Sequence, residues 1–250
     1  MPQQSQFAFP RPTPVVLRVM IALGALWLLF AIATNIAQSG FVDGVYGELE
    51  LHPSEVVPGL HLWQIATYAW LHDLNGLSHI LLNCLGLYFL GPMLERRWGG
   101  GNFLRFYVVT GIIAGAFSVL VGVLFGGRWD VPIVGASGAL LGLVAAYSVI
   151  FPNAQFLLFF VVPVRARYLI WIALGLDILF FIANPRGNVA IQTHFGGALA
   201  GWLLVTGNWR PGIFMPKLKR LFSGGPRQPP PRGGGNLRVL PGGRNRNDLN

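Results

Sequence analysis

The chain has 250 residues, of which 53% are hydrophobic and 11% charged, with a mean hydropathy of +0.55. A soluble domain carries about 25% charged residues, so a water-facing globular body is excluded and an integral membrane protein is implied. The formal net charge of +9 does not point to nucleic acid, because the basic residues sit in loops and tails between apolar runs, where they fix the orientation of spans.

Residues 1–16 form a short N-terminal segment containing Arg11. The apolar run that follows, Leu17–Ala37, has a basic residue on its N-terminal side, as a secretory signal would. It is long for a signal and several further spans come after it, so a retained first span is expected. Five more apolar runs have lengths near those a bilayer crossing needs. They are Leu77–Leu94, Leu104–Phe125, Ile133–Ile150, Tyr168–Ala183 and Ile191–Gly207. Together they predict an all-α polytopic domain of six transmembrane helices over residues 17–207.

Three connections carry further information. The segment from Gln38 to Gly76 is long for a loop and contains Trp63, Tyr68 and Trp70. Such aromatic residues favour the lipid headgroup level, so part of this loop is expected in the membrane surface. The stretch Phe156–Val162 is too short to span and is bracketed by Pro152 and Pro163; it is predicted to lie at the interface or to extend the fifth helix. Residues 208–250, with Lys217–Arg220 and a Pro/Gly/Arg-rich end, have too little apolar content to fold and predict a flexible tail. Attraction of that tail to anionic lipid is expected, at about 1 kcal/mol per basic residue near the surface.

The charges fix an orientation. With the N-terminus in the cytoplasm, Arg11, Arg18, Arg96, Arg97, Arg105, Arg165, Arg167 and Arg210 all lie inside, and only Arg128 and Arg186 outside. That asymmetry satisfies the positive-inside rule and predicts cytoplasmic termini. Cys84 is the sole cysteine, which excludes an intrachain disulfide and a cysteine metal cluster. Its expected role is that of a small apolar residue in a span.

Polar side chains within spans are costly and usually line a site. His79 and Asn83 fall in the first turns of the second span, Ser137 in the first turns of the fourth, and His194 in the first turn of the sixth. On this topology all four lie in the outer third of the bilayer. Ser137 sits in Gly135-Ala136-Ser137-Gly138, at a loop-to-helix transition where unpaired N–H groups and the dipole favour an oxyanion. The same motif is equally a packing device between helices. Gly197 and Gly201 form a small-xxx-small pair that lets another helix approach, and the fourth, with Gly138 and Gly142, is the natural neighbour. His194 then reaches Ser137 and accepts its proton. Asp177 falls mid-way along the fifth segment, so no carboxylate is expected at this depth and a Ser/His dyad is predicted. His79 and Asn83 share one helix face and serve either as oxyanion donors or as interhelical hydrogen bonds.

These residues resemble the rhomboid family of intramembrane serine proteases. The resemblance runs from about Gly59 to Gly207 and rests on His79-Ile80-Leu81-Leu82-Asn83, Glu95-Arg96-Arg97-Trp98-Gly99, the Gly135-Ala136-Ser137-Gly138 motif with Gly142, and His194 with Gly197 and Gly201. It implies Ser137 and His194 as catalytic residues, and His79, Asn83 and the Ser137 backbone N–H as the oxyanion site. It further implies transmembrane proteins as substrates, no metal or cofactor, a site opening to the outer face, and lateral entry past a moving helix or loop. A bacterial plasma membrane is the expected location; the sequence does not define an oligomeric state.

Two positions depart from the family pattern. Gln64 follows Trp63 where many members have arginine, which predicts weaker anchoring of the first loop. Leu141 stands where relatives often carry an aromatic that packs on the histidine ring. His52 and His72 lie in the outer loop, where a structural or interfacial role is expected. Two other functions fit parts of the pattern: an inactive relative that binds membrane clients for quality control, and a haem protein ligated by His79 and His194. The presence of both Ser137 and His194 argues against the first, and the glycine-rich sixth segment against the second.

Overall fold

The computed structural model describes residues 11–126, 131–158, 161–184 and 190–207. The predicted tail 208–250, most of the N-terminal segment, and Arg128, Arg186 and Arg210 lie outside the described residues. Helices account for each of the six apolar runs: α1 Pro14–Asn35, α4 Leu77–Trp98, α5 Gly100–Phe125, α6 Ser137–Ile150, α7 Leu169–Ala183 and α8 Ile191–Thr206. Two shorter helices, α2 Gly40–Leu49 and α3 Gln64–Thr67, belong to the first long connection.

Helices α1, α4 and α5, and α7 taken with the turn before it, are long and apolar enough to cross a membrane. Helices α6 and α8 have 14 and 16 residues, about 21 and 24 Å at 1.5 Å per residue. Their shortness follows from their place in the bundle. Nearly every residue of α6 from Gly138 to Ser148 is buried by protein, so α6 has little lipid-facing surface of its own to match. By contrast Ile21, Leu29, Trp171, Leu179 and Ile182 stand exposed on α1 and α7, the apolar exterior that a bilayer solvates.

Helix α6 begins four residues later than its apolar run predicts. Ile133 instead pairs with Leu51 as an isolated antiparallel bridge, through N···O distances of 3.0 and 2.9 Å. Gly135 has φ +127°, a backbone that only glycine adopts readily, and this ends the extended stretch and turns the chain into α6. At the other end of the bundle, Glu95 is buried near the C-terminus of α4 and accepts from the start of α1. Its partners are the Thr13 hydroxyl, Val15 N–H at 3.1 Å and Val16 N–H at 2.9 Å. A carboxylate on unpaired helix N–H groups stabilises that terminus and pins α1 to α4.

The stretch Phe156–Val162, in its described residues, does not extend a helix. It contributes to a two-stranded antiparallel ribbon, β1 Gln155–Leu158 and β2 Val162–Arg165, with Gln155 opposite Arg165 and Leu158 opposite Val162. The long first connection is tied to the bundle by side chains. Gln64 is 2% exposed; its Oε1 accepts from His52 N–H at 3.1 Å and its Nε2 donates to Glu48 O at 3.4 Å. The glutamine thus anchors the loop that was expected to be weakly held. The Tyr68 hydroxyl donates to Gly111 O at 2.8 Å and the Tyr46 hydroxyl to His72 O at 2.9 Å. Phe41, Leu60, Leu62 and Trp63 stay exposed, an apolar outer face suited to the headgroup level.

Candidate active site

Ser137 is the first residue of α6. Its hydroxyl lies 2.7 Å from His194 Nε2, a full-strength hydrogen bond between α6 and α8. What permits it is glycine. A Cβ built on Gly197 would stand 1.9 Å from Gly138 O, and one on Gly201 would stand 2.2 Å from Gly142 O. The backbones of α8 and α6 therefore touch, and because both contacts advance by four residues the two helices run in the same direction. Gly138 and Gly142 are equally crowded from other sides, by Ala114 and by Thr110 of α5. A 2.6 Å hydrogen bond between the Ser118 and Thr193 hydroxyls fixes α8 to α5 one residue before His194.

The imidazole has a second partner. His194 Nδ1 is 2.8 Å from Asp177 Oδ2, with both side chains 15% exposed. This corrects the expectation that no span carboxylate lies at the depth of His194. Asp177 lies six residues before the end of α7 and His194 three after the start of α8, so level helix ends would separate them by about 4.5 Å in depth. Both ring nitrogens are engaged within the protein, leaving neither for a haem iron.

His79 reaches the same place from α4. A Cβ on Gly135 would lie 2.7 Å from His79 Cε1 and Nε2, and 3.6 Å from Ser137 Oγ. The absence of a side chain at Gly135 therefore lets the His79 ring sit beside the loop that leads into Ser137. Asn83, one turn along α4, is buried and donates from Nδ2 to the His79 carbonyl at 2.9 Å, while its Oδ1 has no hydrogen-bond partner. One amide hydrogen thus braces its own helix.

The sequence reading placed His72 among structural or interfacial loop residues, and it stands directly under the motif. Its side chain is fully buried, its ring centroid is 5.1 Å from that of His79, and its Nε2 accepts from Ala136 N–H at 3.4 Å. Burial, with His79 as a second cause, pushes its pKa down to about 3. A neutral ring is what the Ala136 N–H requires, since the imidazolium has no acceptor. Leu141 is buried one turn into α6 and offers the His194 ring no polar contact.

Helices α6, α8 and α7 thus bring a serine, a histidine and an aspartate into hydrogen-bonded series, an arrangement of the kind found in serine hydrolases. The Rhomboid domain model matches residues 59–210, and the chain belongs to the rhomboid family as a multi-pass integral membrane protein. It is 29% identical over 198 residues to "Putative rhomboid protease YdcA" of Bacillus subtilis (strain 168), covering 78% of this chain and 89% of that one. It is 31% identical to "Rhomboid protease AarA" of Providencia stuartii, covering 57% of this chain and 54% of the relative. With "Rhomboid protein 1, mitochondrial" of Saccharomyces cerevisiae it shares 33% identity, covering 50% and 36%.

Proposed function

We propose that this protein is an intramembrane serine endopeptidase that cleaves transmembrane segments of other membrane proteins through an acyl-enzyme. The observation that carries the proposal is the 2.7 Å contact between Ser137 Oγ and His194 Nε2 in a member of the rhomboid family. Relatives named as proteases support the same reading.

In the reaction, Ser137 Oγ attacks the scissile carbonyl carbon while its proton passes to His194 Nε2. The carbonyl oxygen becomes an oxyanion, held by the Ser137 backbone N–H, the His79 ring and the free amide hydrogen of Asn83. Donors aimed at developing charge are worth about 2.7–4 kcal/mol each when removed singly. The C–N bond then breaks and His194 returns the proton to the leaving amine. Water, deprotonated by His194, hydrolyses the ester and frees Ser137. Since an intact helix keeps its carbonyls hydrogen-bonded, segments with helix-weakening or small residues are the preferred substrates.

The same proposal includes six crossings over residues 17–207, both termini in the cytoplasm of a bacterial cell, and a site opening to the outer face of the plasma membrane. The distribution of Arg96, Arg97, Arg105, Arg165 and Arg167 supports it. The test is cleavage of a transmembrane reporter reconstituted with the full chain in liposomes. Cleavage is expected for the wild type and lost in both Ser137→Ala and His194→Ala. Cleavage that survives Ser137→Ala overturns the assignment, and a well-folded wild type that never cleaves favours a client-binding relative instead.

A further inference from the structure

We infer that Asp177 is a positioning residue of the reaction, making the site a Ser137–His194–Asp177 triad built across three helices. The inference rests on the reading of Ser137 as nucleophile and adds to it a third side chain with a distinct role.

Three observations converge on Asp177. First, it is the one charged residue in α7, whose sequence Leu169–Ala183 is otherwise apolar apart from its glycine. An aspartate within a span is costly unless it is partnered inside the protein. Second, its side chain faces the protein and not the lipid: it is 15% exposed, whereas Trp171, Leu179 and Ile182 of the same helix are 71%, 63% and 67% exposed. Third, its Oδ2 stands 2.8 Å from His194 Nδ1, and His194 Nε2 stands 2.7 Å from Ser137 Oγ.

The chemistry follows from what each group can donate. A carboxylate only accepts, so Nδ1 of the neutral ring carries the hydrogen and Nε2 is left with its lone pair. That is the tautomer able to take the Ser137 proton. Asp177 also holds the ring plane: rotation about the His194 side chain breaks both contacts at once. When Nε2 takes the proton, the carboxylate lies beside the imidazolium so formed. Asp177 itself neither gains nor loses a proton, and no bond to it forms or breaks.

The experiment compares the full chain with Asp177→Asn and Asp177→Glu in liposomes. It reads kcat and KM for the reporter, the rate at which a fluorophosphonate modifies Ser137, and the His194 tautomer by 15N NMR of histidine-labelled protein. In Asp177→Asn an amide N–H can donate to Nδ1 and trap the wrong tautomer. The expected result is a fall in kcat on the order of 10²- to 10⁴-fold, with KM within about twofold and phosphonylation slowed in parallel. Asp177→Glu keeps the acceptor and recovers part of the rate. In the wild type the His194 hydrogen is expected on Nδ1.

Wild-type kcat in Asp177→Asn, or a wild-type His194 protonated on Nε2 in the neutral form, overturns the inference. The tautomer is measured on wild-type protein, so it decides the matter even where the variants fail to fold or the reporter is not a substrate. Cleavage that depends on Ser137 and His194 but ignores Asp177 defeats this inference alone. Cleavage independent of Ser137 defeats the protease reading.

Discussion

Helix α8 carries His194 and helix α7 carries Asp177, and the two side chains meet at 2.8 Å, yet the helices are held in opposite ways. Half of α8 is buried, including Gln192, Thr193, Gly196, Gly197 and Gly201, and Gly197 and Gly201 lie against the backbone of α6. No residue of α7 is buried. In a bilayer there is little hydrophobic drive between helices, so close backbone approach and interhelical hydrogen bonds decide which ones pack firmly. The difference teaches where this bundle spends its glycines: on the α6–α8 seam, which sets the Ser137–His194 distance, and not on the helix that supplies the carboxylate.

The sharpest way to break that comparison is to add one carbon to the seam. In Gly197→Ala the new Cβ meets Gly138 O, a backbone atom of the most buried helix, at 1.9 Å. The two helices must then separate. A loss at or above the upper end of the usual 1–3 kcal/mol for overpacking is expected, about 3 kcal/mol, together with loss of cleavage. Denaturation of the protein in detergent micelles measures it, and unchanged stability would show that the seam is not tight.

A smaller effect is expected from the prop beneath α6. His72 titrates at 6.5 when unfolded and at about 3 when folded. Below pH 6.5 the unfolded chain binds a proton that the folded protein refuses, so stability falls with pH across the window from 6.5 toward 3. Between pH 6.5 and 5 the contribution is about 2 kcal/mol. His72→Gln keeps an acceptor for Ala136 N–H and does not titrate. Its stability curve is expected to be flatter by that amount, and an identical pH dependence would rule out this role.

The smallest effect is expected on the loosely held helix. A Cβ on Gly175, in the middle of α7, meets nothing within 4 Å. Gly175→Ala should therefore stabilise the helix by about 0.5–1 kcal/mol and leave the site unaltered. The same methyl group thus has opposite signs at positions 175 and 197. Destabilisation at Gly175 would mean that α7 packs more closely than its exposure indicates.

Much of this was legible in the sequence. Apolar runs located all six helices to within a few residues, and the glycine spacing of Gly138 and Gly142 against Gly197 and Gly201 named the helix pair that meets. Four features were not. Asp177 falls mid-way along its apolar run, and a sequence does not show that its side chain meets His194. His72 looked interfacial because a loop histidine has no periodic context to place it beneath Ala136. Phe156–Val162 is apolar at every position, so neither a 3.6 nor a 2 period could mark it as strand. The start of α6 was placed at Ile133 because hydropathy does not register the positive φ of Gly135 or the bridge to Leu51. Each miss concerns a contact set by tertiary offset, not by local composition.

The central claim is that Ser137 is a nucleophile activated by His194, and the most direct measurement is the site and rate of its covalent modification. Full-length protein in liposomes is treated with a fluorophosphonate and the adduct located by peptide mass spectrometry. The account predicts a single adduct on Ser137, absent in Ser137→Ala and slowed on the order of 10²-fold or more in His194→Ala. An adduct on another residue, or labelling of Ser137 that proceeds at the wild-type rate without His194, would contradict it.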